Sequence, residues 1–288
     1  MLSLQDICAC LSIERISRCS CVTASMDHLV FDSTRDVNDG DAMVVEAKVV
    51  RCYNSSAEII VRVLLDPSLS PFLCEDDEPF CVAHAFFVFV RLDRGKMPQA
   101  FPQTAAEIQG FELSMERRKA RQSSRRVASV PREGTSPTAE GAPSIPCDRS
   151  SLEFTHIVLP SHANHMGNLF GGEILQWAEE IAVLSATKHM KVAQKENYPI
   201  HFFGGNLPST VGDRIVMRAQ CCRAFGSVVE VEVVVTATDV TGNSHRHINT
   251  GYFVICCWGS EQLREILVPA VEAVTVEENR RFDESLCR

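Results

Sequence analysis

The residues best placed by type and spacing to do chemistry lie in one run, HANHMGNLFGGEILQWAEE, from His162 to Glu180. It opens as a polar loop carrying Asn164, passes through Gly171-Gly172, and continues with Ile174, Trp177, Ala178, Ile181, Leu184 and Ser185 at i, i+3, i+4, i+7 spacing. That periodicity predicts a helix with one buried face. The paired glycines let a group approach the first unsatisfied backbone N–H groups, where the helix dipole is positive. Glu179, one turn inside, falls beside the apolar stripe. A carboxylate near a polarising helix start can act on a carbonyl. The residue types alone leave a plainer reading open, in which Asn164 braces its loop and Gly171 and Gly172 only permit close packing.

The elements that must position these residues read as follows. Strands are expected at Leu152 to Pro160 before the helix, and at about 198–203, 214–224, 227–238 and 247–258 after it. The first half has a helix from Met1, strands at Cys21 to Phe31, Ala42 to Tyr53, Ser56 to Leu65 and Phe80 to Leu92, and a polar helix over 103–121 ending in ERRKAR. Asp39-Gly40-Asp41 and Asn54-Ser55 are turns. From Gln122 to about Ser150 the chain is rich in Ser, Pro, Gly, Thr and Arg and reads as a disordered linker.

The two halves repeat. Gly40-Asp41 matches Gly212-Asp213 at an offset of 172 (212 minus 40), and the same offset places Phe31 on Phe203, Tyr53 on Phe225, Ser55 on Ser227 and Glu58 on Glu230. One residue of slippage, to 173, puts Leu11-Ser12 on Leu184-Ser185 and Asp6 on Glu179. Each copy therefore offers an acid at the same helical position. Only the second copy has the preceding strand and the Asn164 loop. One helix and a sheet per copy predict an α+β protein, each antiparallel sheet wrapped around a central helix and the copies paired as a pseudo-dimer. The expected domains are 1–121, a linker over 122–150, and 151–288 with a C-terminal extension.

Composition narrows the function. A net charge of -9 argues against a nucleic-acid partner, and no apolar run is long enough to span a membrane. Thirteen cysteines without a CxxC read as reduced cytoplasmic thiols. The amphipathic N-terminus with Arg15 and Arg18 makes a mitochondrial presequence the alternative location, against which Asp6 and Glu14 count. His162, His165, His245 and His247 have no cysteine or acid at ligand spacing, so no metal is expected. There is no GxSxG or GxGxxG.

HANHMGNLFGG before a helix, STVGD at 209–213 before a strand, RHIN at 246–249, and in the first half CVTASMD at 21–27, NSSAE at 54–58 and ERRKAR at 116–121 together resemble the double-hotdog acyl-CoA thioesterases, most closely the acyl-CoA thioesterase 11/12 group. The resemblance covers nearly all of the chain outside the linker. It implies hydrolysis of a fatty acyl-CoA, or of acetyl-CoA, to the free acid and coenzyme A. The implied site is built between the two hotdogs from Asn164 of one and Asp6 of the other, with Glu179 as the second acid, whose own Asn partner would lie before Met1. Gly171 and Gly172 would polarise the thioester carbonyl, and the carboxylate would activate water or attack directly. Implied coenzyme A contacts are Ala24, Ser25, Met26, Ser55, Ser56, Ala57, Lys119, Tyr198, Pro199 and Ile200. No cofactor is expected, since coenzyme A is part of the substrate, and hotdog pairing implies a homo-oligomer. The group carries a lipid-binding START domain after the second hotdog; this chain reaches Arg288 first, so regulation through one is not expected. The alternative function is a catalytically impaired acyl-CoA or nucleotide-binding pseudoenzyme, because the first copy lacks its opening strand and loop, leaving a sheet edge uncovered.

Overall fold

The computed structural model describes residues 1–31, 37, 40–66, 79–93, 95–99, 101–124, 144–190, 195–203, 208–242, 244–257 and 268–285, with side chains described for all of these except 28, 122–124 and 195–203. Asp39 of the first turn and residues 125–143 of the linker lie outside the described residues. The chain forms two compact units, Met1–Arg126 with Phe170–Leu175, and Val127–Leu169 with Gln176–Arg288.

The first unit begins with helix α1, Leu2–Ser17, whose buried residues are Leu2, Gln5, Asp6, Ala9 and Ile13. This i, i+3, i+4, i+7 set turns one face onto the sheet. The helix stops at Arg18, in the left-handed conformation with its N–H donating to the Glu14 carbonyl. The β-branched and small residues that follow make β1, Cys21–Phe31, then β2, Met43–Cys52, β3, Ser56–Leu65, and β4, Phe80–Arg91. They pair antiparallel in the order β2-β3-β4-β1. Ile59, Val61, Val63, Leu65, Ala85, Phe87 and Phe89 are buried, and each large apolar side chain among them contributes roughly 2 kcal/mol on burial.

Helix α2, Ala105–Ser124, covers other residues of the same sheet. The Arg117 guanidinium donates through Nε and Nη2 to Glu58 Oε1 at 3.0 and 2.5 Å, and Arg121 Nη2 donates to Glu58 Oε2 at 2.9 Å. Arg121 also pairs with Asp27. The ERRKAR run, whose default reading is a solvated face, thus spends two of its arginines on buried carboxylates.

The second unit repeats the plan. Short strand β5, Ser144–Pro146, and β6, Leu152–Ile157, precede α3, Gly171–Met190; then come β7, Lys195–Phe203, β8, Arg214–Phe225, β9, Val228–Thr238, β10, His245–Cys257, β11, Ala270–Glu272, and α4, Val276–Glu284. The sheet order is β6-β8-β9-β10-β7, which is the first unit's order with β6 added beside β8. Helix burial repeats too: Leu2, Gln5, Ala9 and Ile13 correspond to the buried Leu175, Ala178, Ala182 and Ala186, each 173 residues on. Antiparallel sheets, each with one long helix of the same burial pattern, are the α+β hotdog architecture expected.

Several details differ from the sequence reading. Leu184 is 43% exposed, because the inward stripe of α3 runs through Leu175, Ala178, Ala182 and Ala186 and leaves Leu184 on the solvent side. Residues 144–150, read as part of the linker, are folded: β5 pairs parallel with β11, Ser150 Oγ accepts from Cys221 N–H at 2.9 Å, and Cys147 is buried. The apolar Ile145 and Cys147 give this end of the linker something to bury. Helix α4 was not singled out, although Thr275 and Glu278 form a capping box that the T-x-x-E pattern announces. It is the counterpart of α2. Arg51 Nη1 donates to the Phe111 carbonyl at 2.9 Å and its guanidinium lies 3.8 Å from that ring; Arg223 Nη1 does the same to Phe282 at 3.1 and 4.1 Å. Ser114 and Ser285 each donate back to the same carbonyls, at 2.7 and 2.8 Å. None of the described helices is long and apolar enough to cross a membrane.

Candidate active site

Asp6 is fully buried on α1. Its Oδ1 accepts from the Thr23 hydroxyl at 2.7 Å, and its Oδ2 accepts from Gly172 N–H at 3.0 Å. Helix periodicity aims Asp6 inward and strand alternation aims Thr23 back at it, so α1 and β1 present the two side chains to each other. Burial pushes the Asp6 carboxyl up to about 6, against the opposing pull of the Thr23 and Gly172 hydrogen bonds. A carboxyl titrating there is anionic at neutral pH yet basic enough to take a proton from water.

The glycine pair belongs to the same unit and has a steric reason. A Cβ on Gly171 would stand 2.9 Å from Thr23 Cβ, 3.0 Å from Thr23 Oγ1 and 3.2 Å from Asp6 Oδ2; one on Gly172 would stand 2.8 Å from the Ser3 Cα. Only glycines let this helix start come so close to the carboxylate. The two N–H groups differ in use: Gly172's is taken by Asp6, whereas Gly171's makes no hydrogen bond among the described residues.

Asn164 lies in the second unit, in a loop held by its own side chain. Its Oδ1 accepts from Met166 N–H at 2.9 Å and Asn168 N–H at 3.2 Å, while its N–H donates to the Asn168 carbonyl at 2.7 Å. This fixes which end of the amide points where. The Nδ2 group donates to nothing among the described residues, which leaves a preset donor.

The motifs STVGD and RHIN brace this loop. Leu169 N–H donates to the Ser209 carbonyl at 2.7 Å, Asp213 Oδ2 accepts from Thr210 N–H at 2.7 Å, and Arg246 pairs with Asp213. Gly212 has φ +94 and Gly40, its repeat counterpart, +99, a conformation that favours glycine. Trp177 of α3 stacks on His156 at 4.3 Å and meets His162 edge-on at 5.1 Å, tying the loop to its helix. Glu179 is half-buried, unlike its counterpart Asp6.

The coenzyme A candidates of the first unit gather at one end of its sheet. Ala57 and Thr23 both face Phe89, so Ala24, Ser25 and Met26 lie across β4 from Ser55, Ser56 and Ala57, with a bulge in β1 at Ala24. Ser25, Met26 and Ala57 are buried; Lys119 is exposed on α2. For Tyr198, Pro199 and Ile200 the backbone is described: Ile200 pairs with Phe253 and Tyr198 with Val254, leaving Pro199, which has no N–H, in the irregularity between them. Among the described residues no three His, Cys, Asp or Glu side chains are grouped to hold a metal. His245 and His247 instead bond Thr238 and Thr250.

Two residues had not been singled out. Thr23 stood inside the quoted CVTASMD motif, and facing β1 toward the acid of α1 would have found it. Gln5 has no such signal: it is fully buried beside Asp6, and among the described residues neither atom of its amide finds a hydrogen-bond partner.

Residues 166–242 match the family model described as thioesterase superfamily. The chain is similar to mouse acyl-coenzyme A thioesterase 11, at 34% identity over 98% of this chain and 47% of that protein. It is also similar to mouse acetyl-coenzyme A thioesterase, at 32% over 100% and 52%. It thus spans about half the length of the curated relatives it matches. Among solved structures it resembles an acyl-CoA hydrolase from Staphylococcus aureus in complex with butyryl coenzyme A, at 26% identity and a TM-score of 0.46, over 50% of this chain and 87% of that one.

Proposed function

We propose, for a chain whose residues 166–242 match the thioesterase superfamily model, the hydrolysis of acyl-CoA thioesters, fatty acyl-CoA or acetyl-CoA, to the free acid and coenzyme A. The observation that carries the reading is the buried Asp6 carboxylate, held by Thr23 and Gly172 and raised to about 6. Asp6 takes a proton from the attacking water, or attacks the carbonyl itself, while Asn164 Nδ2 and Gly171 N–H stabilise the oxyanion. Glu179 is the second acid. Ala24, Ser25, Met26, Ser55, Ser56 and Ala57 receive the coenzyme A moiety, with Lys119, Tyr198, Pro199 and Ile200 as its further contacts. The reaction needs water and no cofactor. We place the protein in the cytoplasm, a reading supported by the sequence's cysteine usage, thirteen residues with no CxxC, and as a homo-oligomer through hotdog pairing.

The test is release of free thiol from acetyl-CoA and longer acyl-CoA by the purified chain. Asp6→Asn and Asn164→Ala are each expected to lower kcat by about 100-fold or more. Unchanged turnover in both removes these roles. Tight binding of acyl-CoA without thiol release identifies instead a binding pseudoenzyme.

A further inference from the structure

A polar cluster that the proposed chemistry leaves unused lies within the second unit. Arg246 and Asn249 of β10 stand opposite Ala237 and Val235, two fully buried residues of β9. The offset of 172 maps these two onto Leu65 and Val63 of β3, whose partners on β4 are Phe80 and Ala83. An apolar pair therefore serves this place in a sheet of the same plan. The second unit puts a cation and an amide there instead, at a cost in stability: Arg246 Nε, Asn249 Oδ1 and the nearby Ser209 Oγ are buried and find no hydrogen-bond partner among the described residues. Polar groups kept where apolar ones suffice for folding point to a function.

Arg246 leads from the sheet to the Asn164 loop. Its Nη2 bonds Asp213 Oδ2, and that same oxygen accepts from the N–H and the hydroxyl of Thr210, at 2.7 and 3.3 Å. Thr210 and Asn168 form an antiparallel bridge, beside which Leu169 N–H donates to the Ser209 carbonyl at 2.7 Å. Asn168 N–H in turn donates to Asn164 Oδ1 at 3.2 Å. The turn holds its own backbone without the Asp213 side chain, since Val158 N–H donates to the Asp213 carbonyl at 2.9 Å and Gly212 N–H to the Val158 carbonyl at 2.8 Å. What the Arg246 pair adds is the placement of Thr210, and through it of Asn168.

We infer that Arg246 is a positioning residue: through Asp213, Thr210 and Asn168 it fixes the direction in which Asn164 Nδ2 donates. The inference rests on the hydrolase reading, in which that donor meets the oxyanion. Such a donor works by being set before charge develops, so a small displacement lowers kcat far more than it weakens substrate binding.

Two variants test it. Arg246→Lys keeps a cation beside Asp213, and so the fold, but lacks the planar guanidinium that fixes the approach; Arg246→Met removes the cation. For thiol release from acetyl-CoA, kcat is expected to fall about 10-fold in the first and about 100-fold in the second, with KM within about twofold of wild type. In an Asn164→Ala background neither should lower kcat further, because the effect ends at that amide. A loss that simply adds to that of Asn164→Ala overturns the inference.

Nuclear magnetic relaxation of the Asn164 side-chain amide, identified by its absence from spectra of Asn164→Ala, reads the positioning without turnover. The amide is expected to be ordered in the wild type and mobile in both Arg246 variants. Equal order in all three overturns the inference as well. A wild-type chain that releases no thiol removes the hydrolase reading instead, and the mobility of the amide still decides whether Arg246 sets it.

Discussion

Asp6 and Thr23 stand 17 residues apart in the chain and 2.7 Å apart in space, a buried carboxylate accepting the hydroxyl proton of a strand residue. The Gly172 N–H completes the arrangement at 3.0 Å. Neither donor is charged, so the carboxylate is oriented without being neutralised by an ion pair. That combination keeps it basic and aimed, which is what proton transfer from water requires.

The first prediction concerns pH. The Asp6 carboxyl lies at about 6, and its anion is the working form, so kcat/KM should rise with pH through a limb near 6. The Thr23 hydrogen bond lowers this value, so Thr23→Val should move the limb upward. A pH–rate profile in which both proteins share one limb would disconnect Thr23 from the titration.

Stability should move the opposite way from activity. A carboxyl raised from 3.8 to about 6 on folding stabilises the folded state only while it is protonated, and that contribution is lost as pH rises through about 6. At pH 8 the buried anion is a cost. Asp6→Asn should therefore be slower by about 100-fold or more yet more stable by on the order of 3 kcal/mol at pH 8, with the difference vanishing below pH 4. Urea denaturation at the two pH values measures it.

Gly171→Ala should damage the site as well as the fold. The added methyl meets Thr23 Cβ at 2.9 Å, Thr23 Oγ1 at 3.0 Å and Asp6 Oδ2 at 3.2 Å, so it pushes on both partners of the central hydrogen bond. At Gly172 it meets Ser3 Cα at 2.8 Å, away from Thr23. Each substitution is expected to destabilise by about 1–3 kcal/mol, and Gly171→Ala also to lower kcat by displacing Thr23 from Asp6. A Gly171→Ala variant with wild-type kcat and melting temperature would contradict the geometry.

Glu58 holds two arginines of α2 and is fully buried. Removing it in Glu58→Ala leaves Arg117 and Arg121 partly uncompensated and should cost about 3–5 kcal/mol in urea unfolding. A loss below about 1 kcal/mol would mean that α2 is held by its ring stacking instead, Arg117 over Phe86 at 3.8 Å and Arg118 over Tyr53 at 4.1 Å.

Gln5→Leu should act the other way. Both polar atoms of this buried amide lack partners among the described residues, so an apolar side chain of similar volume should raise stability by about 1–3 kcal/mol. A destabilised variant would show that the amide is satisfied by ordered water.

What the sequence determined by itself was whatever repeats along the chain. Hydrophobic spacing placed α1 and α3, alternation placed the strands from Cys21 to Leu65 at the positions observed, and the offset of 172 related the halves, because each signal is local and occurs twice. Asp6 was legible through the repeat that sets it on Glu179, and Gly171 and Gly172 through their place at the start of a helix. What only the tertiary structure decided was which partner each group met. Thr23 bonds Asp6, Gly172 N–H is spent on that carboxylate while Gly171 N–H is not, and Asp213 and Arg246 brace the Asn164 loop. Arg117 and Arg121 turn from a solvated run into buried ion pairs. These outcomes depend on contacts between residues far apart in sequence and on burial, and burial sets both the pKa of Asp6 and the cost of leaving a polar group unpaired.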